Sequence, residues 1–72
     1  MTSRERAMRD AVKEAGSLSE LARRTGMSRQ RLHHMLRKAK QASPAAVIPI
    51  ERATGVSRTR LRPDLYPADY SS

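Results

Sequence analysis

The sequence predicts an all-α domain of five short helices, and three observations carry that expectation. The 72 residues include no Phe, no Trp and two Tyr, so the aromatic and alternating β-branched runs that build strands are missing. Ser, Thr, Gly and Pro recur where helices start and stop. Residues 18–36 carry an apolar pattern broken by Gly26 that suits two helices crossing at a steep angle. A chain this short buries only about 60% of its unfolded surface, so a single small core is expected.

The first helix is expected over residues 3–15. Thr2 with Glu5 has the form of a capping box, Ala7, Met8, Ala11, Val12 and Ala15 fall on one face, and Gly16 ends the run. Ser17 with Glu20 forms a second box and opens a helix over residues 18–24. Gly26 closes it, and Ser28 caps a third helix over residues 29–38. After a polar connection, Ser43 as cap and Pro44 at the first helical position open a fourth helix. Pro49 removes one backbone hydrogen bond there, so a kink or a split is expected between Val47 and Ile50. Ser57 caps a last turn that runs to Leu61, and Pro63 ends it. Residues 1–62 read as one helix-turn-helix domain, with the motif at 18–37, and residues 63–72 as a short C-terminal tail. No internal repeat is expected.

Fifteen Lys and Arg against seven Asp and Glu leave a formal charge of +8, which implies a polyanionic partner. There is no Cys, and the adjacent His33 and His34 point about 100° apart on a helix, so neither a metal site nor a cofactor is expected. No carboxylate is spaced to pair with a His as a base, no Gly-rich phosphate loop is present, and the chain is too short to enclose a pocket. Enzymatic activity and a small-molecule substrate are therefore not expected. No apolar run approaches the roughly 18 residues of a membrane span, and nothing resembles a secretory signal, so a cytoplasmic location is expected and no membrane partner.

The candidate site lies on the third helix. Leu21, Ala22, Gly26, Met27, Leu32 and Met35 form the turn and the apolar clamp: Ala22 is small enough to lie under the next helix, and Gly26 permits a positive φ. Advancing about 100° per residue from Leu32 puts Met35 and Leu36 on the buried side and Gln30, His34 and Arg37 opposite. Gln can bond adenine N6 and N7, and Arg can bond guanine O6 and N7. Arg29, Gln30 and His34 are the expected base readers. Ser17, Ser28, Arg31, His33, Arg37 and Lys38 are the expected positioners on phosphates. Arg58, Arg60 and Arg62 admit two readings, a grip on flanking phosphates or a charged face on a helix packed through Leu61. Arg23 and Arg24 either complement a helix C-terminus or touch phosphate. Tyr66 and Tyr70 are expected to pack rather than to stack on bases.

The stretch Gly16-Ser-Leu-Ser-Glu-Leu-Ala-Arg-Arg-Thr-Gly-Met-Ser, followed by Pro49-Ile-Glu-Arg-Ala-Thr-Gly-Val-Ser-Arg and Leu61-Arg-Pro-Asp-Leu-Tyr-Pro, resembles the Cro/YdaS family of phage and prophage proteins. The resemblance covers about residues 12–67. Members often carry an aromatic residue where this chain has Met35. The resemblance implies a lambda-repressor-like fold and a Cro-type transcriptional repressor that occupies a double-stranded DNA operator. A homodimer is expected, because one small module reads too few base pairs to be selective in a genome. The alternative is an antitoxin-like protein whose main partner is another polypeptide, bound through residues 47–70, with DNA binding used for autoregulation. A third possibility is non-specific coating of nucleic acid.

Overall fold

A computed structural model describes residues 1–68. Tyr70 and the rest of the expected tail beyond residue 68 lie outside the described residues. Helix α1 (Ser3–Ala15) begins where the Thr2 hydroxyl accepts the Glu5 N–H at 3.1 Å. The same device opens α2 (Leu18–Thr25), where Ser17 Oγ accepts from Glu20 N at 3.1 Å. It opens α3 (Arg29–His34) through Ser28 Oγ and Arg31 N at 3.1 Å. A π turn, Met35–Ala39, continues α3, and a 3₁₀ turn, Pro44–Ala46, leads into α4 (Val47–Thr54). Helix α5 (Arg58–Leu61) is capped by Ser57 Oγ, which accepts from Arg60 N at 3.2 Å. The described residues contain no strand and no helix long and apolar enough to cross a membrane.

Helix α1 is the platform on which the others pack. It contacts α2, α4, α5 and the π turn through Ala7, Met8, Ala11 and Ala15, all buried. Leu21, Leu32, Met35, Val47, Ile50, Val56 and Leu61 complete the core with Ala42 and Ala46. Five alanines among these residues let the helix backbones approach closely, which is how a core without a buried aromatic ring is filled. Tyr66 packs against its edge. Helix α3 rests on α2, so most of its circumference faces outward.

Four local expectations change. The two capping boxes form only their first half. The Glu5 carboxylate lies 3.5 Å from Arg9 Nη2, and Glu20 turns to Arg23 and Arg24, because an arginine one turn on offers a stronger, charge-assisted partner than a cap N–H. The third helix is α-helical only to His34. Met35 O then accepts from both Lys40 N and Gln41 N, and the widened turn closes with Lys40 at φ 56°, which turns the chain back to bury Ala42. The Ser43 side chain does not cap the next turn; its hydroxyl lies 4.0 Å from Met35 Sδ. The fourth helix is split rather than kinked, and the break precedes Pro49. Val47 starts the α geometry, so Pro49 occupies the first turn, where a backbone N–H has no partner within the helix.

The fold also contains an internal repeat, contrary to expectation. Residues 21–32 and 50–61 align at an offset of 29 with seven of twelve positions identical, Arg, Thr, Gly, Ser, Arg, Arg and Leu. The geometry repeats with the letters. Thr25 Oγ1 donates to Leu21 O at 2.8 Å and accepts from Met27 N at 3.3 Å; Thr54 Oγ1 donates to Ile50 O at 2.8 Å and accepts from Val56 N at 3.1 Å. Gly26 and Gly55 take φ values of 73° and 83°, and Leu32 and Leu61 are both fully buried. The repeat escapes a hydropathy reading because its signature is a turn rather than an apolar period.

A Cβ added at Gly26 or Gly55 meets nothing within 4 Å, so the cost of substitution is confined to the left-handed backbone. Gly26→Ala and Gly55→Ala are each expected to cost about 1–2 kcal/mol. Thermal unfolding should then show Tm falling by roughly 5–10 °C with the helical signal intact. Unchanged melting temperatures would mean that the turns do not depend on this backbone conformation.

Candidate nucleic-acid interface

The turn between α2 and α3 is built by Thr25, Gly26 and Ser28 acting in sequence. Thr25 holds the end of α2 through Leu21 O, Gly26 reverses the chain, and Ser28 starts α3. Thr25 was not among the residues expected to make the turn; its repetition as Thr54 is the sequence signal that identifies it. Of the expected clamp, Leu21, Leu32 and Met35 are buried, while Ala22 and Met27 are partly buried against the core. Gly26 is exposed at the turn.

That clamp leaves Arg29, Gln30 and His34 exposed on α3, together with Arg31 and His33. Ser17 and Ser28 are exposed at the two helix starts, where their hydroxyls accept cap hydrogen bonds. Gln30 and His34 are four residues apart on regular α-helix and share a face. Arg37 and Lys38 are exposed too, but on the π turn, so a uniform advance from Leu32 does not give their directions. Beside α3 an open groove runs between Arg31, His34 and Met35 on one wall and Ser43, Pro44 and Arg62 on the other.

Charge is divided sharply between this region and the rest. From residue 21 to residue 50 the chain has seven Lys and Arg and no Asp or Glu. Glu5, Asp10, Glu20, Glu51 and Asp64 each pair with arginines outside α3. Arg60 Nη2 lies 2.6 Å from Asp10 Oδ2, which ties α5 to α1. Arg62 donates to both Asp64 oxygens at 2.9 and 2.8 Å and to Ala42 O at 3.0 Å. Arg58 donates its backbone N–H to Glu51 Oε2 at 2.8 Å and its Nε to Oε1 at 3.0 Å, and its guanidinium lies 5.6 Å from the centre of the Tyr66 ring. Each of Arg58, Arg60 and Arg62 is thus engaged with a carboxylate, as the charged-face reading expects. Arg23 and Arg24, in the last turn of α2, pair with Glu20 three and four residues before them. Among the described residues, Arg29, Arg31, Arg37, Lys38 and Lys40 form no ion pair. Lys40 is the cation that the sequence reading left out of this group, because nothing in its surroundings marks it as the end of a π turn.

The family described as bacterial toxin YdaS matches residues 8–70. The chain belongs to that family. It is the family to which the sequence resemblance pointed, and its description names a toxin where the resemblance implied a regulator. No match was found among curated proteins or among solved structures. The YdaS-family match begins within α1 and takes in both Thr-Gly-x-Ser turns and every exposed cation of α3 and the π turn.

The ion pairs leave their mark on acidity. The side-chain bond from Arg23 lowers the pKa of Glu20, and the bonds from the Arg58 side chain and backbone lower that of Glu51. Asp64, gripped by Arg62, is lowered from 3.8 to about 2, and the same contact raises Arg62. The unfolded chain takes up a proton at Asp64 near the ordinary value while the folded chain does not until about pH 2. The stability this pair contributes is therefore complete above the ordinary value and lost as pH falls through about 2. Urea midpoints measured from pH 6 downward should show Asp64→Asn less stable than the wild type at the top of the range. The two should converge near pH 2; a constant gap would remove the Arg62–Asp64 pair as the cause.

Proposed function

We propose that this YdaS-family protein is a sequence-specific repressor of Cro type that acts by occupying a double-stranded DNA operator. The observation that carries the reading is the concentration of unpaired cations on and beside α3, in a chain whose other arginines are mostly engaged with carboxylates. In this reading α3 enters the major groove, where Arg29, Gln30 and His34 meet base edges. Arg31, His33, Arg37 and Lys38, with Lys40 added, neutralise phosphates beside them, while Ser17 and Ser28 set the register. No bond is made or broken: repression follows from blocking a promoter. A homodimer on an inverted repeat would place the two reading helices about 34 Å apart, with α4, α5 and the segment after them as the contact surface.

A second reading rests on one observation, the description of the family as a toxin. That word names an effect on a cell and no target. Under this reading the main partner is another polypeptide, held by the half of the chain from Val47 onward, and DNA binding serves autoregulation.

Selection of bound sites from a random duplex pool, at an ionic strength that screens charges beyond about 8 Å, separates the two. The repressor reading expects an enriched inverted repeat. Gln30→Ala and His34→Ala should each reduce discrimination at one position by about 1–3 kcal/mol, while Arg37→Ala should weaken all duplexes alike and flatten the salt dependence. Salt-sensitive binding without enrichment would sink the repressor reading and leave coating or the polypeptide partner.

A further inference from the structure

The two Thr-Gly-x-Ser units share the Thr hydrogen bonds, but the arginine that follows the Ser is ion-paired only in the second. In the second unit Arg58 follows Ser57, and Glu51, four residues ahead of Gly55, holds it by the backbone N–H at 2.8 Å, by Nε at 3.0 Å and by Nη2 at 2.8 Å. In the first unit Arg29 follows Ser28, and the position four residues ahead of Gly26 is Ala22. Arg29 forms no ion pair among the described residues and is exposed. The next arginine of each unit follows the same division, since Arg60 is bound to Asp10 while Arg31 has no carboxylate partner among the described residues.

We infer that α4–α5 is a duplicate of the reading unit whose first arginine is held by a carboxylate of its own, and that position 22 decides whether a unit can read. Ala22 leaves Arg29 available to a duplex, whereas a carboxylate there would take both its N–H and its guanidinium. Charge-assisted, multiply bonded contacts of this kind must be broken before the arginine can turn to a base or a phosphate. Glu51 occupies the equivalent place in the second unit, which keeps the same Thr and Gly geometry, so a carboxylate at this position is compatible with the turn itself. The inference rests on the DNA reading proposed above and extends it from the residues that touch DNA to one that controls them from behind.

The test is a duplex titration followed by fluorescence anisotropy, with circular dichroism to monitor folding. It compares wild type, Ala22→Glu, Ala22→Gln, Arg29→Ala and the double variant Ala22→Glu/Arg29→Ala. Ala22→Glu is expected to weaken binding about tenfold, as Arg29→Ala does, and to keep its helical signal. Ala22→Gln, of the same size as Glu but uncharged, reports the loss due to size alone and should weaken binding clearly less than Ala22→Glu, and Ala22→Glu should add nothing once Arg29 is gone. An equal loss with and without Arg29 overturns the inference, since the added charge would then act directly on the duplex. So does an equal loss in Ala22→Gln, which would show that size is selected, or an Ala22→Glu protein that no longer folds. Wild-type protein that binds no duplex at all defeats the proposed function first, and this inference with it.

Discussion

The Glu51 carboxylate, bonded to both the backbone and the guanidinium of Arg58, fixes the shortest α-helix among the described residues. Helix α5 has four residues, too few to be stable by its own hydrogen bonds. Glu51 anchors its start to α4, Leu61 buries its apolar side in the core, and Asp10 ties Arg60 to α1. Through α5 the C-terminal segment is held as well, with Arg62 bridging Ala42 and Asp64 and Tyr66 lying against Arg58. Exposed ion pairs contribute little each in water. Their consequence here is to determine where positive charge remains uncompensated.

Arg6, Lys13 and Arg52 also form no ion pair among the described residues, but the longest run of cations without a nearby carboxylate falls on α3 and the turn after it. Helix α3 lies on α2 and is clamped by Leu32 and, at the start of the π turn, by Met35. Its remaining faces are exposed, with no carboxylate from residue 21 to residue 50 to offset the cations. The structure thus consists of an ion-paired frame, α1 with α4 and α5, and a projecting basic element. A left-handed Lys40 at the end of the π turn adds one more cation to that element at some backbone cost. Glycine would be the easier residue there, and the charge is what lysine supplies in its place.

The parts legible in the sequence were those that depend on near neighbours. Thr2, Ser17, Ser28 and Ser57 start helices because each hydroxyl accepts from a free N–H three residues on, and Gly16, Gly26 and Gly55 stop them. The burial of Leu21, Leu32 and Met35 follows from helical spacing in the same way. What stayed hidden depends on distance. Asp10 and Arg60 are fifty residues apart, and no local pattern shows that they meet. Competition hid the rest: Glu5 and Glu20 satisfy the capping-box spacing, yet nearby arginines outbid the cap N–H groups. The π turn has no residue signature, which is why Arg37 and Lys38 were aligned by a period that ends at His34. The repeat at an offset of 29 is carried by Thr, Gly, Ser and Arg, which leave no trace in an apolar period.

The central claim is that duplex DNA meets the projecting basic element and not the ion-paired frame. The most direct measurement is a titration of isotopically labelled protein with duplex DNA, followed by backbone amide shifts. The account predicts changes concentrated between Ser28 and Lys40, with the amides of Arg58, Arg60 and Arg62 nearly still. Changes centred on α5 and on Asp10 of α1 beside it, or none at all, would contradict it.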